Sequence, residues 1–131
     1  YKSLLETCGM GLEHRRNVPV GNLSGGQRQA IALIIASMTD IDLLILDEHT
    51  AALDPKSSET LMKITDKVVK EKKVTTLMVT HNLRFAVEYG SRLVMMHEGK
   101  CVMDIKGEEK KNAKVDDLLS VFNEISIESG N

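Results

Sequence analysis

An α/β fold, a mainly parallel sheet flanked by helices with an edge hairpin and a carboxyl-terminal helix, is predicted by three features of the sequence. The aliphatic run Leu43 to Leu46 stops abruptly at Asp47 and Glu48, the pattern of a strand buried on both faces. A second β-branched and aliphatic run spans Val74 to Val79. Between them Leu61, Ile64, Thr65 and Val68 recur at helical spacing, while Lys56, Lys63, Lys67 and Lys70 can face water. A strand, a helix and a strand in that order imply a right-handed crossover between parallel strands.

The remaining elements follow along the chain. Lys2 to Cys8 reads as the end of a helix, and a loop with Gly9, Gly11, Pro19 and Gly21 comes after it. From Gln27 to Met38 the residues are apolar on nearly every side with no Gly or Pro inside, which predicts a buried helix. Asp54 and Pro55 open the crossover helix, Asp as a cap and Pro where its missing N–H costs nothing. Lys70 to Lys73 reads as a charged, solvated turn. Asn82 can cap a short helix through Tyr89. Arg92 to His97 and Lys100 to Ile105 suggest a hairpin turning at Glu98 and Gly99 and closing the edge of the sheet. Gly107 to Lys114 looks like a charged loop, and Val115, Leu118, Leu119 and Phe122 mark an amphipathic helix before a frayed tail. The chain is expected to be one domain over 1–131, with a helical region at 1–39, the sheet at 40–106 and the last helix and tail at 107–131.

Composition narrows the function classes. At 131 residues and 42% hydrophobic content there is enough material for one modest core. A formal net charge of -2 gives no whole-chain reason to bind nucleic acid or an anionic membrane surface. The two cysteines, Cys8 and Cys101, are far apart and form no metal or redox spacing, so a reducing cytosol is expected. The longest apolar run, Ala30 to Ala36, is far short of the roughly 20 residues of a spanning helix, so a membrane link would come through a partner. The amino terminus has no signal-peptide pattern, and Tyr1 in place of Met suggests a piece of a longer chain.

Two clusters carry the chemistry. Parallel strands emerge at one edge, which would bring Asp47 and Glu48 near His81. Two adjacent carboxylates at the end of a buried strand are costly to desolvate unless a cation compensates, and Mg²⁺ with phosphates suits them. Strand alternation points them differently, so one can serve a metal while the other orients water. The second cluster, Leu23-Ser24-Gly25-Gly26-Gln27, opens the apolar helix, where two glycines and unpaired N–H groups favour an anion. Ser24 and Gln27 are also spaced as a capping box, which alone would explain both. Asp54 can be a simple helix cap, His81 a satisfied loop histidine and Glu48 a solvated turn residue. Met95 and Met96 read as core filler.

The stretch Asn22-Leu23-Ser24-Gly25-Gly26-Gln27-Arg28-Gln29 resembles the signature motif of ABC ATPases. Other motifs of that family follow in order: Leu43 to Glu48 resembles the Walker B strand with its following glutamate, Ala51-Ala52-Leu53-Asp54 the D-loop, and Thr80-His81-Asn82 the switch histidine. The resemblance implies a partial P-loop NTPase fold and an ATP-hydrolysing subunit of a transporter, a bacterial importer in particular, with ATP and Mg²⁺ as cofactors. It implies that Asp47 holds Mg²⁺ through water, Glu48 polarises the attacking water and His81 senses the γ-phosphate. Ser24, Gly25, Gly26 and Gln27 would meet ATP bound to the opposite subunit, with Asp54 at the dimer interface. The implied partners are a second ATPase subunit, transmembrane permease subunits and a solute-binding protein, with no nucleic acid, on the cytoplasmic face of the cell membrane. No G-x-x-x-x-G-K-[ST] loop occurs, so this chain alone is expected to hydrolyse no ATP.

Two alternatives remain open at this level. One is a soluble relative acting on chromosomes or ribosomes, although Tyr1 to Gly21 shows no heptads. The other is a non-catalytic dimerisation module. Asp47 to Pro55 is similar to the ATPase subunits of bacterial importers, some linked to aromatic amino acid uptake; His49 stands where many relatives carry proline, and no catalytic task is assigned to it.

Overall fold

A computed structural model describes Glu6, residues 9–128 and Gly130. The helix end expected at Lys2 to Cys8 lies outside the described residues apart from Glu6. The chain divides into two compact units, Tyr1–Val79 and Thr80–Asn131.

In the first unit, single 3₁₀ turns at Leu12–His14 and Val20–Asn22 lead into helix α1, Gly25–Ser37. Strand β1, Leu43–Asp47, is followed by helix α2, Pro55–Lys72, and strand β2, Thr75–Val79. β1 and β2 pair in parallel, Leu43 opposite Thr75 and Asp47 opposite Val79, as the crossover pattern requires. α1 and α2 pack together over a core of Leu12, Leu23, Ala30, Leu33, Ile34, Leu44, Leu46, Leu61 and Ile64. Each of the leucine and isoleucine side chains contributes roughly 1.5–3 kcal/mol by leaving water. The four lysines of α2 named above face solvent.

Three expectations for this unit change. β1 is not buried on both faces: Leu44 and Leu46 point inward, whereas Leu43 and Ile45 are more than half exposed. Leu77 and Val79 of β2 are exposed as well, because the described elements of the unit cover one face of a two-stranded sheet. α1 is likewise buried on one side, with Ile35 and Met38 exposed opposite Ala30, Leu33 and Ile34. Lys70 and Lys72 belong to the last turn of α2 rather than to a loop, where their charge complements the carbonyl end of the helix dipole.

Lys73 ends α2 in the left-handed region, at φ 50° and ψ 37°. That conformation is unfavourable for a residue with a Cβ and natural for glycine. Lys73→Gly is therefore expected to stabilise the chain by about 0.5–1 kcal/mol. A higher urea midpoint at unchanged slope would show it.

The second unit runs through helix α3, Leu83–Glu88, strands β3, Arg92–His97, and β4, Lys100–Lys106, then helices α4, Gly107–Asn112, and α5, Val115–Glu128. The hairpin forms as expected and turns at Glu98 and Gly99, both at positive φ, as a tight two-residue turn between twisted strands demands. Among the described residues β3 and β4 pair with each other in a two-stranded antiparallel sheet. Side-chain pairing and the turn suffice to form the hairpin locally.

Residues 107–112 are helical rather than loop-like. Glu108 and Glu109 occupy the first turn and Lys110 and Lys111 the last, an order that suits the helix dipole. Lys110 is buried to 4% exposure, and its Nζ donates to the Val87 carbonyl near the end of α3. Burial pushes its pKa down. Leu93, Met95, Ile105 and Leu118 form this unit's core, so Met95 is the core filler expected while Met96 is exposed. On α5 Leu118 and Val121 turn inward, whereas Leu119 and Phe122 are exposed.

Candidate functional site

Ser24 caps α1 through a complete capping box. Its Oγ accepts from the Gln27 N–H at 3.1 Å, and its own N–H donates to Gln27 Oε1 at 3.0 Å. Gln27 Nε2 also donates to the Met10 carbonyl at 3.0 Å, so this side chain anchors the preceding loop as well as the helix start. Ser24 is exposed, and a hydroxyl that accepts from Gln27 can still donate its own proton outward. The capping reading is correct for both residues, and for Ser24 it leaves hydrogen-bonding capacity for a ligand.

The two glycines are packing positions. A Cβ on Gly25 would lie 3.2 Å from Leu53 Cδ2, and one on Gly26 would lie 3.3 Å from Ser57 Cβ. The start of α1 thus packs directly against the segment that leads from β1 into α2. Sequence periodicity had no means of revealing this contact, because it joins residues about 30 positions apart and involves no side chain on one partner.

On the other side of that contact Asp54 caps α2. Its Oδ2 accepts from the Ser57 N–H at 3.1 Å, Pro55 occupies the first helical position, and Ser57 lowers the Asp54 pKa by hydrogen bonding. A carboxylate with a depressed folded-state pKa stabilises above its unfolded value, and the contribution fades as pH falls through the folded one.

Asp47 ends β1 and Glu48 follows it, both exposed. The Glu48 N–H donates to the Val79 carbonyl at 2.8 Å, extending the β1–β2 ladder by one bond, and the Glu48 carbonyl accepts from the Ala51 N–H at 3.0 Å. Glu48 has φ 48°, a left-handed backbone at a residue that is not glycine. The next side chain, His49, is half-buried, and desolvation lowers its pKa. Its Nε2 lies 3.1 Å from Thr65 Oγ1. Within the first unit, Leu53 and Ser57, which follow Asp47 and Glu48 along the chain, are thus the residues that meet the glycine pair.

His81 is the second residue of the second unit, two residues beyond Val79, and is exposed. Its neighbours are fixed: the Asn82 N–H donates to Thr80 Oγ1 at 3.0 Å, and Asn82 Oδ1 accepts from the Phe85 N–H at 3.1 Å, capping α3.

Among the described residues no group of three or more His, Cys, Asp or Glu is gathered to hold a metal unaided. The donor set nevertheless suits Mg²⁺ with a nucleotide, since Mg²⁺ keeps several waters and takes one or two carboxylates plus substrate phosphates. Exposed adjacent carboxylates at a strand end offer that chemistry.

The sequence profile of the ABC transporter family matches residues 2–51. A tyrosine transport ATP-binding protein of Clostridioides difficile is 50% identical over 119 residues, covering 91% of this chain and 47% of that protein. The energy-coupling factor transporter ATP-binding protein EcfA2 of Bacillus cereus is 40% identical over 87 residues, 66% of this chain and 30% of its own length. Among solved structures, the MJ1267 ATP-binding cassette of an ABC transporter superposes with a TM-score of 0.70 at 26% identity, covering 92% of this chain and 47% of that one. Its ADP conformation gives 0.69 at 27%. The chain spans about half the length, or less, of the relatives it matches. Motif order, fold and these likenesses agree, and the chain belongs to the ABC transporter ATP-binding family, corresponding to the carboxyl-terminal portion of its ATPase domain.

Proposed function

We propose that this chain supplies the signature motif, Walker B acids, D-loop and switch histidine of an ATP-hydrolysing transporter subunit, an importer working as a two-subunit sandwich. The observation that carries the reading is the packing of Gly25 on Leu53 and of Gly26 on Ser57. It sets the start of α1 against Leu53, in the loop that follows Glu48, and against Ser57 in the first turn of α2, so in this reading a ligand pressing on the signature would be felt in the loop that follows the acids.

In this reading Ser24 donates its hydroxyl proton, and the start of α1 its N–H groups, to the γ-phosphate of ATP held by a second copy. Asp54 meets that copy across the interface. Glu48 accepts a hydrogen bond from water and orients it in line with the γ-phosphorus; an O–P bond forms as the bridge to the β-phosphate breaks, and positioning and electrostatics supply nearly all the catalysis. His81 contacts the γ-phosphate from the loop between β2 and α3. Mg²⁺, when bound with ATP, supplies charge neutralisation at the phosphates, and Asp47 is the residue that would hold it through water. The proposed partners are a second ATPase subunit, permease subunits in the membrane and a solute-binding protein, with the chain on the cytoplasmic face. No helix among the described residues is long and apolar enough to cross a membrane. The likeness to the tyrosine transport protein makes an aromatic amino acid the first cargo to try.

The test compares phosphate release by this chain with release by a longer protein that joins it to a phosphate-binding loop. The chain alone is expected to be inactive and the longer protein active. Turnover by the chain alone that depends on Glu48 would overturn the division of labour, and inactivity of the longer protein would overturn the assignment.

A further inference from the structure

Glu48 holds a left-handed backbone, φ 48°, directly after a strand. Lys73 and Glu98 share that conformation, but they sit at a helix end and in a hairpin turn, where it is common. A strained residue persists only where its surroundings over-determine it, so the groups that hold the turn after Glu48 matter. Two buried hydroxyls of α2 reach that turn. Ser58 Oγ donates to the Thr50 carbonyl at 3.3 Å, and Thr65 Oγ1 lies 3.1 Å from His49 Nε2. Ser58 and Thr65 are seven residues apart, two helical turns, and so share one face of α2.

The direction of the second bond follows from proton counting. The single hydroxyl proton of Thr65 is donated to the Leu61 carbonyl at 2.8 Å. Toward His49 the hydroxyl can therefore only accept, and Nε2 must carry a proton. We propose that His49 is a positioning residue: its Nε2–H, donated to Thr65, pins the turn to α2 and holds Glu48 in its left-handed conformation, with Ser58 as the second pin. The consequence for catalysis rests on the reading of Glu48 as the water-orienting acid; the pin itself does not.

Side-chain nitrogen NMR of the chain reads the pin directly. Nε2 of His49 is expected to be protonated, with the signal kept in Thr65→Ser and lost to a tautomer mixture in Thr65→Val. Amide exchange at Ala51, whose N–H bonds to the Glu48 carbonyl, is expected to quicken about tenfold in Thr65→Val and His49→Ala but not in Thr65→Ser, while the amides inside β1 stay protected. In the longer protein Thr65→Val should lower kcat at unchanged KM for ATP, and Thr65→Ser should restore it. A neutral His49 with its proton on Nδ1, or Ala51 exchange unchanged in both His49→Ala and Thr65→Val, would overturn the proposal. Should Glu48→Gln leave turnover intact while the NMR results hold, the role of Glu48 fails and the pin stands.

Discussion

Glu48→Gln in the longer protein is expected to lower turnover by at least about 100-fold, the scale of a removed general base or water-orienting group. The substitution keeps the side chain's size and leaves the Glu48 N–H bonded to the Val79 carbonyl. It removes the negative charge and one of the two oxygens that can accept from water. Because Gln and Glu pay the same penalty at φ 48°, stability should change little. ATP binding should also persist, and the closed, nucleotide-loaded pair of subunits should accumulate. Steady-state phosphate release alongside nucleotide-binding calorimetry checks both parts. Turnover within a few-fold of the parent would remove Glu48 from the chemistry.

Leu61→Ala is expected to cost about 3 kcal/mol, within the range measured for emptying a buried leucine site. Leu61 is 0% exposed and belongs to the core shared by α1, β1 and α2. Its loss removes the methyl groups from that core and leaves a cavity that two packed helices cannot easily close. For a unit of this size the melting temperature should fall by on the order of 10 °C. Leu77→Ala is the matched control: Leu77 is 55% exposed, and its truncation should stay within about 0.5 kcal/mol. Denaturant midpoints of the two variants decide the matter; equal losses would mean that the open sheet face is covered in solution.

Much of the local geometry of the candidate site is legible in the sequence because the residues concerned are close together along the chain. The Ser24 and Gln27 capping box, the Asp54 and Pro55 helix start and the Asn82 cap are local patterns, and each is made by the hydrogen bond its spacing predicts. The parallel pairing of β1 and β2 was legible for a similar reason, since the length of α2 leaves little choice. What escaped notice depends on distant partners. Leu43 and Ile45 read as buried because an aliphatic run does not say how many layers cover it. Gly107 to Lys114 read as a loop because charge hid good helix formers arranged to suit the dipole. The packing of Gly25 on Leu53 and the bond from His49 to Thr65 have no local signature, and both concern the segment that carries Glu48.

The account stands on a site shared between two copies, and subunit mixing tests that most directly. Two variants of the longer protein, Ser24→Arg and Glu48→Gln, are each expected to be inactive. Mixed in equal amounts before nucleotide is added, they form pairs in which one site has an intact Glu48 facing an intact Ser24. Phosphate release should then recover toward about a quarter of the parent's, as two-fold pairing at random predicts. A mixture no more active than its components would mean that Ser24 and Glu48 serve the same copy's nucleotide, and the shared-site account would be wrong.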